Sequence, residues 1–341
     1  MTTIRDDEGI RLSNGAETAT TQFQIAGETT RAKLRVRDYG DRVFTLTTAG
    51  LALLVLGLII LLTIILVHSS APSIRQFGFG FLTSTDWDPV NDSYGALPFM
   101  YGTAVSSIIA LAIAVPLSLG VALCMSELSP LWLARPIGFM VELLAAIPSV
   151  VYGLWAVFML GPWLRDHIDP ILSAVFGFLP LFKGPHVAVG MLTAAVVLAI
   201  MIMPYISSVC TDVFRAVPRQ QREAALALGA TKWEMVRAAV LPPSRSGIVG
   251  AIALGLGRAL GETIAVAMVI GNSPIISASL FKPSATLASV IANEFAEATS
   301  DLYQSSLIEL GLVLLGMALV LNVLARMLVI RGTARAARGE R

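Results

Sequence analysis

Glu223-Ala224-Ala225-Leu226-Ala227-Leu228-Gly229-Ala230-Thr231-Lys232-Trp233-Glu234-Met235-Val236-Arg237-Ala238-Ala239-Val240-Leu241-Pro242 is a polar, helix-forming stretch set between two long apolar runs. Residues 223–228 are strong helix formers. Gly229 supplies a position that accepts positive φ and so ends a helix. Thr231, with Glu234 three residues on, has the pattern of a capping box that starts a second helix. Trp233, Met235 and Val236 give this second segment apolar contact surface, and Leu241-Pro242-Pro243 is expected to stop it before the next apolar run. The spacing predicts a helix–turn–helix knob. From its residues alone, such a knob either lies on lipid headgroups or meets a soluble partner.

The chain around it is mostly membrane. Of 341 residues, 55% are hydrophobic and 14% charged, and mean hydropathy is +0.76, which excludes an ordinary soluble domain. A bilayer core of about 30 Å takes about 20 apolar residues of helix. Residues 43–67, 99–125, 136–160, 187–210, 247–270 and 307–330 qualify, so the fold class is all-α integral membrane with six transmembrane helices. Residues 171–182 are apolar but too short to cross, and 274–304 read as an irregular outer segment.

Charge sets the orientation. With the N-terminus inside, the inner flanks collect Arg31, Lys33, Arg35, Arg37, Arg42, Arg135, Arg215, Arg219, Arg222, Lys232, Arg237, Arg245, Arg326, Arg331, Arg335, Arg338 and Arg341. The outer flanks hold only Arg75, Arg165, Lys183 and Lys282. The positive-inside rule then puts both termini and the 223–242 loop in the cytoplasm of a cell-membrane protein. Residues 1–30 read as a disordered cytoplasmic tail without the apolar region of a signal peptide. Residues 31–98 hold a basic anchor, the first span and an outer loop; 99–330 form the transmembrane domain, with its cytoplasmic loop at 211–246. Residues 331–341 form a basic tail drawn to anionic lipid.

Cys124 and Cys210 lie in apolar segments and suggest no disulfide framework, and His68, His167 and His186 have no metal-ligand spacing. Neither a metal nor a nucleic-acid partner is expected. The informative charges are Arg258 and Glu262. Arg258 lies about 18 Å along a helix from Ser246, near mid-bilayer. Glu262 is expected one turn further on the same face. A charge at that depth costs at least about 2.5–3.5 kcal/mol, so both groups should face the bundle interior or a partner. They form either an ion pair that locks two helices or a polar pathway for an anion, which a guanidinium fork suits. Glu142 either snorkels to the interface or pairs with Arg258 or a partner subunit; Glu309 is expected at the interface. Gly255, Gly257 and Gly261 read as close helix packing, not a nucleotide loop.

The 223–242 stretch resembles the EAA loop of binding-protein-dependent ABC importer permeases. Glu223, Ala224, Ala225, Gly229, Leu241 and Pro242 stand at that loop's spacing, with Ala239 where Ile is usual. Gly255-Leu256-Gly257-Arg258-Ala259-Leu260-Gly261-Glu262-Thr263 is similar to the fifth-helix signature of phosphate importer permeases of the PstC type. So are Trp87-Asp88-Pro89, residues 94–103 and Ser289-Val290-Ile291-Ala292-Asn293-Glu294-Phe295. The likeness runs over about residues 34–330. It implies the MetI-like type I ABC importer permease fold and a role as permease for inorganic phosphate. Glu223, Ala224, Ala225, Gly229, Leu241 and Pro242 would couple it to an ATPase, and Arg258 and Glu262 would serve the substrate pathway. It also implies a second, PstA-like permease, a dimer of PstB-like ATP-binding subunits and an extracytoplasmic PstS-like phosphate-binding protein. The chain has no Gly-x-x-x-x-Gly-Lys-Ser/Thr, so ATP and Mg would be bound by the partner and no bond chemistry is expected here. The rival readings are a permease for sulfate, molybdate or phosphonate, an ion-coupled secondary transporter without visible repeats, and a lipid-phosphate enzyme without a visible catalytic cluster.

Overall fold

A computed structural model describes residues 39–337. The expectations for residues 1–30 and for the end of the basic tail therefore lie outside the described residues. The chain forms two compact units, Met1–Ile65 and Leu66–Arg341. The described part of the first unit is most of helix α1, Tyr39–Ser69, whose apolar side chains are exposed all round, as suits a helix in lipid.

The second unit is helical, and among the described residues β-pairing is limited to the isolated bridges Asp88–Ser93 and Gly271–Ser284. A short α2, Ala71–Phe77, leads through a loop to α3, Leu97–Leu128. Helix α4, Leu131–Ala146, and α5, Ser149–Phe176, meet at a bend of 92°. Helix α6 is Met191–Arg215, α7 Arg219–Ala227 and α8 Lys232–Gly261. Helices α9, Ile264–Val269, α10, Leu287–Glu294, and α11, Asp301–Ala337, complete the unit. Five helices are long and apolar enough to cross a bilayer, and the bent α4–α5 pair makes a sixth span if taken as one.

Three expectations change. Residues 136–160 are not one straight span: Ile147 precedes Pro148, is pushed into extended backbone (ψ 128), and the helix turns there. The Tyr152 hydroxyl donates to the Leu144 carbonyl at 2.8 Å and braces the elbow. Residues 247–270 break as well. Helix α8 ends at Gly261, and Glu262 adopts extended backbone (φ −69, ψ 124) before α9 starts. Finally, Pro242-Pro243 does not stop the second helix of the knob. A π turn at Val236–Val240 widens the helix before them, and α8 runs on without a break. The wider turn relieves the clash a proline ring makes with the carbonyl four residues back.

The core lies between α3, α6 and α8, where Ala110, Ala114, Val197, Ile202, Ile206 and Ala251 are fully buried. The Ser118 hydroxyl donates to the Met203 carbonyl and ties α3 to α6. Gly255 lets α8 approach α6: a Cβ there would stand 2.7 Å from the Ile206 side chain. Gly257 and Gly261 meet nothing within 4 Å, so the packing role read for all three glycines belongs to Gly255 alone.

Gly255→Leu is expected to lower stability by about 1–3 kcal/mol through overpacking, seen as a lower thermal midpoint in detergent. Gly257→Ala should show no such loss.

Candidate functional site

Arg258 sits near the end of α8, three residues before the break, and is half-buried. Its guanidinium carbon lies 4.4 Å from the centre of the Tyr205 ring, a cation–π contact from α6 that fixes its direction. Its Nε is buried without a hydrogen-bond partner. Arg258 and Tyr205 line a cavity of about 520 Å3 with Gly250, Ala253, Leu254, Gly257 and Asn322. The wall is apolar apart from Tyr205, Arg258 and Asn322. The cavity therefore carries one positive charge and guanidinium donors, which suits an anion.

Glu262 is not part of this wall. The helix break takes it off the α8 face, and its Oε1 accepts from the Ala265 amide at 3.4 Å, at the start of α9. The ion pairs among the described residues are Arg165–Asp166 and Arg222–Glu127, so neither Glu262 nor Glu142 pairs with Arg258 there. Glu142 is exposed on α4. Glu309 is buried: its register on α11 turns it inward beside the Ser306–Ser73 hydrogen bond, and it is 6% exposed.

The 223–242 loop forms the expected knob. Helix α7 ends in a Schellman turn, with Ala230 N–H bonded to Ala225 O and Gly229 N–H to Leu226 O. Gly229 has φ +86, where a side chain is strained even in open space. Thr231 caps α8: its hydroxyl accepts from Glu234 N, and Glu234 accepts from Thr231 N at 2.8 Å. These hydrogen bonds hold the Glu234 carboxyl below its ordinary pKa. One side of the knob enters the core through Ala225, Met235, Val236, Val240 and Leu241. On the other side Glu223, Ala224 and Pro242 are exposed, with the apolar Leu226, Leu228 and Trp233.

At the opposite end of α3, the segments 87–89, 94–103 and 289–295 come together. Trp87 Nε1 donates to Glu294 Oε2 at 2.9 Å, and the Tyr303 hydroxyl donates to the same oxygen at 2.6 Å. Tyr94 stacks on Tyr303, and Trp87 packs edge-on against Phe99. The Tyr94 phenol is pushed up to about 12, by burial first and then by Asp92, so it stays a neutral donor. Thr103 Oγ1 accepts from Leu287 N at 2.9 Å and pins α10 to α3.

Residues 114–331 match the model of the family described as binding-protein-dependent transport system inner membrane component. The chain is 48% identical over 299 residues to the phosphate transport system permease protein PstC of Mesorhizobium japonicum, covering 86% of this chain and 91% of that protein. It is also 48% identical over 293 residues to PstC of Haemophilus influenzae, with 85% and 93% covered. The chain belongs to this family of permeases. Among solved structures, an inward-facing MetNI methionine ABC transporter gives a TM-score of 0.48 at 18% identity, covering 70% of this chain and 94% of that one.

The structure of this permease adds a joint that the motifs did not reveal. Arg222, immediately before the Glu-Ala-Ala triplet, donates through Nε and Nη2 to Glu127 at 3.1 and 2.8 Å. Its Nη1 and Nη2 also donate to the Val217 and Phe214 carbonyls. The two side chains are 17% and 5% exposed. Glu127 reaches this place because α3 ends in a π turn, Cys124–Leu128. The joint thus fastens the knob to the ends of both α3 and α6. Sequence reading counted Arg222 only as a topology charge, and nothing in the spacing ties it to a carboxylate 95 residues away.

Glu127→Ala leaves the Arg222 charge without its carboxylate and is expected to cost about 3 kcal/mol. Thermal unfolding of the double variant Glu127→Ala/Arg222→Ala should show less than the sum of the single losses.

Proposed function

We propose that this chain is the permease subunit of an ATP-driven importer for inorganic phosphate. Its 48% identity to phosphate transport system permeases over most of both chains supports the class and the cargo. The observation that carries the mechanism is Arg258: a guanidinium at a break between helices, without an ion-pair partner among the described residues, facing a cavity. A second, PstA-like permease would close the open side of that cavity. A PstS-like binding protein would deliver phosphate at the end of the molecule marked by Trp87, Glu294 and Tyr303. The basic flanks favour both termini and the knob in the cytoplasm.

The knob is the coupling element in this reading. Its exposed face, with Glu223, Leu226, Leu228 and Trp233, docks on a dimer of PstB-like ATPase subunits, which bind ATP and Mg. ATP binding draws the two ATPase subunits together and carries the knob with them. The continuous α8 passes that displacement toward Arg258, and the Arg222–Glu127 joint passes it to α3. Arg258 lowers the barrier for the anion in a low-dielectric constriction. Glu262 holds the backbone at the break, through its contact with Ala265. The chain makes and breaks no covalent bond of its substrate.

The reading is tested with the assembled complex in vesicles. Gly229→Val and Glu223→Lys should reach the membrane at normal levels yet lose ATP-driven phosphate uptake. Full uptake by both would remove the loop from the mechanism. Arg258→Gln should leave assembly and nucleotide binding intact and abolish most uptake. Arg258→Lys should rescue only partly, since the fork is lost.

A further inference from the structure

The cavity beside Arg258 holds a polar group that no motif marks. Asn322 lies on α11, about 31 Å along the helix from Asp301. It is exposed and forms part of the wall otherwise supplied by α6 and α8. Its Nδ2 donates to the Ala318 carbonyl at 2.9 Å, a partner that can only accept. That bond fixes the amide's orientation and leaves Oδ1 and the second N–H for the cavity.

We propose that Asn322 is a second anion-contacting residue of this cavity, and that its amide oxygen accepts a hydrogen bond from the P–OH group of hydrogen phosphate. The cavity then prefers protonated tetrahedral oxyanions, phosphate and arsenate, to sulfate. Arg258 supplies donors only, and a donor-only site holds any oxyanion of similar size and charge. At neutral pH sulfate carries no proton, so it would set its own lone pairs against Asn322 Oδ1. A site that offers an acceptor discriminates against an analogue lacking the donor, because the acceptor is left unpaired. Tyr205 does not supply this selection. Its ring holds the guanidinium, and its hydroxyl both donates and accepts. Glu262, the other candidate acceptor, is turned to Ala265 by the helix break. An anion leaving Arg258 toward the knob side passes down the wall from Gly257 to Gly250, about 10 Å along α8.

The inference rests on the reading of this cavity as the anion path, and the test separates the two. The purified permease–ATPase complex, without binding protein, is titrated calorimetrically with phosphate, arsenate and sulfate. The wild type should bind phosphate and arsenate more tightly than sulfate. Asn322→Leu should weaken phosphate and arsenate about tenfold and sulfate less, since sulfate can use only the second N–H, and so erase most of the preference. Asn322 is exposed, so the substitution does not disturb the core; Asn322→Ser, whose hydroxyl can turn to donate as well as accept, should likewise lose the preference. Arg258→Gln should lose all three anions. If Asn322→Leu keeps the wild-type preference, or if the wild type has none, the inference is wrong. An intact Arg258 dependence would then leave the anion path standing. If Arg258→Gln binds all three anions as the wild type does, the path reading and the inference both fall.

Discussion

A guanidinium carried by a helix apolar enough to cross a bilayer is the constraint on which the rest of this molecule depends. Arg258 costs about 2.5–3.5 kcal/mol at such depth even with local adjustment. The fold meets that cost without a carboxylate among the described residues: the Tyr205 ring holds the charge at 4.4 Å, and a cavity lies beside it. A carboxylate in contact would neutralise the charge. The break after Gly261 prevents this, turning the Glu262 side chain to the Ala265 amide instead of down the face that bears Arg258. Gly255 brings α8 close to α6, the helix that carries Tyr205, and so sets the contact.

The same helix joins the charge to the knob. The π turn at Val236–Val240 lets α8 pass through two prolines without interruption, so one rigid element runs from Thr231 to the break. Arg222 adds a second route through Glu127 to α3 and through two carbonyls to the end of α6. Both routes begin within a few residues of the exposed Leu226, Leu228 and Trp233. The knob is thus fastened to α3, α6 and α8 together, and these helices surround the core next to the cavity.

Much of this was legible in the sequence, and the rest was hidden for physical reasons. The knob was readable because its signals are local: Gly229 must take φ +86, and Thr231 and Glu234 satisfy each other across three residues. The apolar runs gave the spans, but hydropathy does not register backbone direction, so the turn at Ile147–Pro148 and the break at Glu262 were missed. Helical spacing put Arg258 and Glu262 on one face, which holds only while the helix continues. The burial of Glu309 was not read, because position in a window says nothing of the direction its register points. Arg222–Glu127, Tyr205 and Asn322 are long-range or generic contacts that appear only when helices are assembled.

In this reading Arg258 acts on the anion and does not merely lock helices. The most direct measurement uses Arg258→Gln combined with Glu262→Gln in the reconstituted complex, recording phosphate taken up and ATP hydrolysed in the same vesicles. Removing both charges cures any defect caused by an unpaired charge, but it leaves the anion without its cation. The expected result is continued ATP hydrolysis with uptake still lost. Wild-type phosphate uptake in the double variant would contradict this reading and leave Arg258 a structural charge.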